Sequence, residues 1–94
     1  MFSIIIPTFN NLEYLKILIS SIEKNSQFKH EIIVHVNEGS DGTYDFISKN
    51  NYRYTYSKNN VGLCTATNLA AEKSTTDYIL YSHDDMYFCP GWDT

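Results

Sequence analysis

Two adjacent carboxylates, Asp84 and Asp85, stand in Tyr81-Ser82-His83-Asp84-Asp85-Met86, directly after the apolar run Tyr78-Ile79-Leu80-Tyr81 that reads as a buried strand. Neighbouring carboxylates repel unless a cation lies between them and a ligand. Hard divalent ions take oxygen ligands, and Mg²⁺ or Mn²⁺ commonly bridges one or two carboxylates to a substrate's phosphates. The pair therefore points to a metal-assisted nucleotide or diphosphate site; a solvated acidic turn is the plainer alternative. His83 beside them could be a ligand, or could turn into the sheet or into solvent.

Two earlier loops are candidates for the same site. Pro7-Thr8-Phe9-Asn10 follows the β-branched run Ser3 to Ile6, which reads as a first strand ended by Pro7. Phe9 offers a flat face on which a base could stack, or belongs to the core. In Asn37-Glu38-Gly39-Ser40, the Glu38 carboxylate could accept a hydrogen bond from a pyrimidine N3–H. The alternative there is a charged loop with a helix cap at Ser40 or Asp41. Lys58 and Arg53 could assist a phosphate or be solvated cations. No Ser–His–Asp or Cys–His arrangement stands out.

The elements that must position these loops alternate. Leu12, Leu15, Leu18, Ile19 and Ile22 recur at helical spacing after Asn10 or Asn11, either of which can cap. His30 to Val36 reads as a second strand, Thr43 to Lys49 as a short helix and Tyr52 to Tyr56 as a third strand. Leu63 to Lys73 reads as a helix whose alanines, Ala66, Ala70 and Ala71, allow close packing. Tyr78 to Tyr81 is the fourth strand. Such alternation implies right-handed βαβ units and a parallel sheet, and ligands bind such sheets outside the strands' C-terminal ends.

Composition bounds the reading. The 94 residues make one small domain, and 43% hydrophobic residues with eight tyrosines, five phenylalanines and a tryptophan can build its core. A net charge of −4, with seven basic and eleven acidic residues, argues against nucleic-acid binding and favours a metal alongside any anionic ligand. Cys64 and Cys89 have neither zinc nor disulfide-framework spacing and are expected as reduced, partly buried thiols. No signal peptide or membrane span is visible, so a cytoplasmic protein is expected.

With these stretches in this order, the chain resembles the N-terminal half of family 2 glycosyltransferases. Ser3 to Asn10 looks like that family's opening strand with its P-x-[YF]-N exit, and Val36 to Thr43 like its V-D-D-G-S-x-D-G-T segment. Asn59-Asn60-Val61-Gly62 through Asn68-Leu69-Ala70 looks like the N-x-G…A-x-N-x-G/A helix, and Tyr78 to Asp85 like the strand bearing a D-x-D-type metal motif. The resemblance implies an α/β, Rossmann-like (GT-A) three-layer sandwich with a mainly parallel sheet, truncated after the metal-binding motif. It makes residues 1–94 the nucleotide-sugar-binding half.

By resemblance, Pro7, Thr8 and Phe9 belong to the loop on the nucleobase, Glu38 reads uracil, Asp84 sits near the donor's ribose or diphosphate, and Asp85, with Asp84, ligates Mn²⁺ or Mg²⁺. The partners implied are a nucleotide-diphospho-sugar, a UDP-sugar on the Glu38 match, and an acceptor of unknown kind. Asn37 and Glu38 replace the usual two aspartates, the segment is one residue short between Ser40 and Asp41, and Ser82 stands where many relatives have a first aspartate. No residue can be assigned as catalytic base, so transfer requires further residues or a partner chain. Uncovered strands or an apolar face could lead the chain to self-associate. The alternative is a catalytically inactive nucleotide-binding or assembly module.

Overall fold

The computed structural model describes residues 2–93. Its elements run β1 (Ser3–Phe9), α1 (Leu12–Asn25), β2 (Glu31–Asn37), α2 (Thr43–Lys49), β3 (Arg53–Ser57), α3 (Leu63–Ala71) and β4 (Ile79–Tyr81). The strands form one sheet in the order β3-β2-β1-β4, every pairing parallel. The chain winds outward from β1 through β2 to β3, then crosses back to lay β4 on β1's other side. The order reverses between β1 and β4.

Side-chain alternation along the strands sends two sets of residues to two faces. Ile4 and Ile6 of β1 and Val34 and Val36 of β2 pack with Leu15, Leu18, Ile19 and Ile22 of α1 and Ile47 of α2. Ile5 and Ile33 point the other way, onto Ala70 of α3. Both sets of isoleucines are fully buried, as the continuous apolar runs of a doubly covered parallel sheet require. Ala66 and Ala70 are buried and bring α3 close to the sheet, and Ala71 is half-buried. The three layers expected of the sequence are present.

Four expectations change. Pro7 does not end the first strand, which continues to Phe9 in register with β2. The Ser3 amide donates to the Tyr78 carbonyl at 2.9 Å and the Ser82 amide to the Ile5 carbonyl at 3.0 Å, so the odd residues of β1 address β4. β4 pairs only as far as Ile5. Pro7 thus lacks its N–H on a side where no strand remains, and a proline is tolerated inside β1.

The run Tyr78 to Tyr81, expected to be buried, forms a three-residue edge strand with Ile79 53% exposed, because nothing pairs beyond it among the described residues. Neither Asn10 nor Asn11 caps α1 through its side chain. The Leu12 amide donates instead to Asp41 Oδ2 at 3.0 Å, from the loop after β2. Lastly, Cys64 and Cys89 are free but exposed rather than partly buried.

Candidate functional site

Where strand order reverses, two neighbouring strands send their following loops to opposite faces, and a crevice opens at their C-terminal ends. Here the reversal falls between β1 and β4, and early termination of β4 widens the gap beside Pro7. A cleft of about 250 Å³ occupies this place. Pro7, Thr8 and Phe9 line it from β1, Asn37 from β2, Asn60, Gly62 and Leu63 from the loop into α3, and His83 and Asp84 from beyond β4. A larger cavity of about 360 Å³ lies between the end of α1 and the start of β2. It is at the opposite end of the sheet, away from every loop that leaves a strand's C-terminus. The chemistry gathers in the smaller one.

The central contact joins the two sides of the crevice. Thr8 Oγ1 donates to Asp84 Oδ2 at 2.8 Å, fixing the carboxylate that follows β4 against the exit of β1. Thr8 is buried and Asp84 half-buried. Phe9 is 46% exposed at the rim of the cleft, so it is not a core residue and its ring is free to stack on a ligand. His83 lines the cleft with its ring exposed, its Nδ1 3.2 Å from the Tyr81 hydroxyl. It turns to solvent rather than into the sheet.

Glu38 and Asp85 do not line this cleft. Glu38 follows the last residue of β2 in a left-handed conformation (φ +61°), its amide donating to the Ser57 carbonyl at 2.8 Å. Gly39 continues the turn at φ +71°, where a Cβ would lie 2.6 Å from Val36 Cγ1, so the residue after Glu38 has to be glycine. A side chain that is not glycine, asparagine or aspartate rarely adopts such a φ, and strain of this kind gathers at ligand sites. Asp85 is exposed beside Asp84. Arg53 and Lys58 stay out of the cleft; Arg53 donates to the Lys73 carbonyl at 3.0 Å.

Among the described residues no three His, Cys, Asp or Glu side chains converge as a closed metal site. The donor set fits an open one. Thr8 engages one oxygen of Asp84, leaving the other as a hard anionic donor in the cleft, with the exposed Asp85 next to it in the chain. Mg²⁺-type ions are held in this way, by one or two carboxylates with phosphate oxygens and waters completing the shell.

Asn37, Asn60, Gly62 and Leu63 were not singled out as site residues by the sequence. Asn60 Oδ1 accepts from the Gly62 amide at 3.0 Å, the Asx-type turn that opens α3, and Asn-Asn-Val-Gly is a readable signal for it. Asn37 is buried and bonded to three other segments, which no local pattern announces.

A parallel α/β sheet with a carboxylate-bearing cleft at its switch point defines a nucleotide-binding type of architecture, and the comparisons name its family. The profile of Glycosyl transferase family 2 matches residues 3–94. The chain belongs to this family. It is 35% identical over 94 residues to abequosyltransferase RfbV of Salmonella typhimurium strain LT2, which covers 90% of this chain. The structure superposes on S. aureus TarS residues 1–349 in complex with UDP with a TM-score of 0.79 at 26% identity, over 92% of this chain. The complex of the same protein with UDP-GlcNAc gives 0.76. The fold is therefore the GT-A glycosyltransferase fold. The chain spans 28% of the length of RfbV and of the UDP-bound TarS chain.

Proposed function

We propose that residues 1–94 form the donor-binding half of a glycosyltransferase, holding a nucleotide-diphospho-sugar, in the first instance a UDP-sugar, with Mn²⁺ or Mg²⁺. The observation that carries this reading is the Thr8–Asp84 contact across the switch-point cleft, with Asp85 exposed beside it. Pro7, Thr8 and Phe9 flank the nucleobase, with Phe9 as the stacking face. Glu38, at the rim of the same sheet edge, accepts from the pyrimidine. Asp84 takes the ribose or diphosphate, and Asp85, with Asp84, the metal. When bound, the ion would neutralise the diphosphate and ease departure of the nucleoside diphosphate. The UDP and UDP-GlcNAc complexes of TarS support the choice of donor class.

Transfer to an acceptor requires a base and an acceptor surface supplied by further residues or by a partner chain. The edge strand β4, with Tyr78 and Ile79 exposed, supports association with another copy, measurable as a mass that rises with concentration. No helix among the described residues is long and apolar enough to cross a membrane. Two exposed free thiols favour a reducing, cytoplasmic setting.

Calorimetric titration of UDP, with and without Mn²⁺, into the chain and its Asp85→Ala variant tests the reading. Binding that needs both the metal and Asp85 is expected. No binding at millimolar UDP by a chain shown to be folded would leave a family member without a working donor site.

A further inference from the structure

We propose that His83 is a diphosphate-binding residue of the donor site, its Nε2–H meeting a phosphate oxygen of the nucleotide while Tyr81 holds the ring. The inference rests on the donor-site reading above and adds two residues which that reading does not use. A diphosphate brings several anionic oxygens into a cleft that already holds the Asp84 carboxylate. Among the described residues no lysine or arginine lines that cleft. A divalent ion between carboxylate and phosphates leaves other phosphate oxygens to be met by N–H donors.

Few of the lining side chains have a donor to spare. Thr8 gives its hydroxyl proton to Asp84, and Asn37 donates to the Thr8 carbonyl. Asn60 turns its oxygen to the Gly62 amide and stands on the α3 side of the cleft. His83 is the donor next to Asp84 in the chain and in the same cleft, on the side where a metal-held diphosphate lies.

The backbone and Tyr81 aim the ring. The Ser82 amide donates to the Ile5 carbonyl at 3.0 Å, and its buried hydroxyl donates to the His83 carbonyl at 2.9 Å. Tyr81 packs edge-on against the imidazole, with ring centroids 5.1 Å apart at 79°, and its hydroxyl lies 3.2 Å from Nδ1. The two ring nitrogens diverge, so with Nδ1 at Tyr81 it is Nε2 that remains for a ligand. Partial burial, then the nearby Asp84 and Cys64, raise the pKa of the Tyr81 hydroxyl, which therefore keeps its proton and can give it to Nδ1. A neutral imidazole so held carries its own proton on Nε2, the form that donates to a phosphate. Mg²⁺ and Mn²⁺ prefer oxygen ligands, so the ring meets the phosphate and not the metal.

The test is calorimetric titration of UDP with Mg²⁺, a diamagnetic ion, into the wild-type chain and variants at the exposed His83, each checked for folding. His83→Phe keeps a flat ring against Tyr81 and removes both nitrogens. It should bind UDP about tenfold more weakly, the size of one hydrogen bond to a charged group. A glutamine amide nitrogen falls near the place of Nε2 and an asparagine's near that of Nδ1. His83→Gln should therefore recover most of the affinity and His83→Asn should not. Tyr81→Phe should weaken UDP binding on its own and add nothing to His83→Phe. In the wild type, the nitrogen NMR signals of the His83 ring should move to the Nε2–H form with UDP and stay unmoved by uridine.

Equal UDP affinity of His83→Phe and wild type overturns the assignment while the donor reading stands. Recovery by asparagine rather than glutamine, or ring signals that answer equally to uridine and UDP, overturns it as well. A folded wild type that binds no UDP overturns the donor reading, and this inference with it.

Discussion

Thr8 shows how one hydroxyl can turn a surface carboxylate into a site. Without its bond, Asp84 would be one of two adjacent anions on an exposed turn; with it, one oxygen is held against the exit of β1. Thr8→Val keeps the shape and removes the donor. Hydrogen bonds to charged groups contribute about 1.5–3 kcal/mol, and the half-exposed carboxylate puts the loss at the lower end. UDP·Mn²⁺ affinity should fall about tenfold, and Thr8→Ser should restore most of it. Equal affinities for Thr8→Val and wild type by calorimetry would remove Thr8 from the site. At this scale the sequence was legible where chemistry is carried by residue type. Pro7, Thr8, Phe9 and Asp84 all reach one cleft. Asn37 was visible only as a departure from a family pattern, because a carboxamide's role depends on what the fold brings to each of its two ends.

At the scale of elements, Asp41 does what the sequence assigned to residues beside α1. Its Oδ2 accepts from the Leu12 amide at the start of α1, and its Oδ1 from the Thr43 amide and hydroxyl at the start of α2. One carboxylate therefore serves two helix N-termini, where orphan amides and the helix dipole favour an anion. Partial burial works to raise the pKa of Asp41, but the bonds from Thr43 and Leu12 outweigh it and the net direction is down. A group depressed in the folded state contributes stability above its unfolded pKa, and that contribution is lost as pH falls through the folded value. Asp41→Ala should cost about 1–2 kcal/mol at pH 7, a Tm lower by about 4–15 °C for a domain of this size. The gap from wild type should shrink in acid; a constant gap down to pH 2 would mean the carboxylate's charge is irrelevant. Strand and helix order was readable because apolar period and turn residues are local. The cap of α2 at Asp41 was readable for the same reason; that of α1 was not, because its carboxylate comes from the loop after β2.

At the scale of the whole molecule, the segment after Asp85 was read as little more than an ending, yet it closes the sheet's other end. Phe88 is buried against α1, its amide donating to Ser21 Oγ at 2.9 Å. Trp92 packs on Phe2, His30 and Phe88. Asp93 accepts from the Gln27 and Phe28 amides, both at 2.9 Å, and meets His30 Nε2 at 2.7 Å. His30 Nδ1 accepts from the Phe2 amide at 2.9 Å, so the imidazole's proton is on Nε2 and is given to Asp93. The bonds of Asp93 are invisible locally because they join residues more than sixty positions apart. Solvent exclusion opposes the charge on Asp93, but the amides of Gln27 and Phe28 and the bond from His30 prevail, and its pKa falls to about 2. An unfolded chain's aspartate titrates near 3.9. The bonds therefore stabilise the fold fully above about pH 4, and their contribution fades between about pH 4 and about pH 2. Asp93→Asn can accept from the amides but turns an NH₂ toward either a donor amide or His30 Nε2–H. Its Tm should be lower than wild type at pH 7, and its decline with acid shallower across that window. Because the segment lies at the opposite end of the sheet from Asp84, UDP affinity at pH 7 should be unchanged while the protein remains folded. Thermal melts from pH 2 to pH 7 with one titration at pH 7 separate the two ends of the molecule. Parallel acid limbs would show that Asp93 is not what ties the segment down, and a loss of UDP binding by the folded variant would show that the ends are coupled.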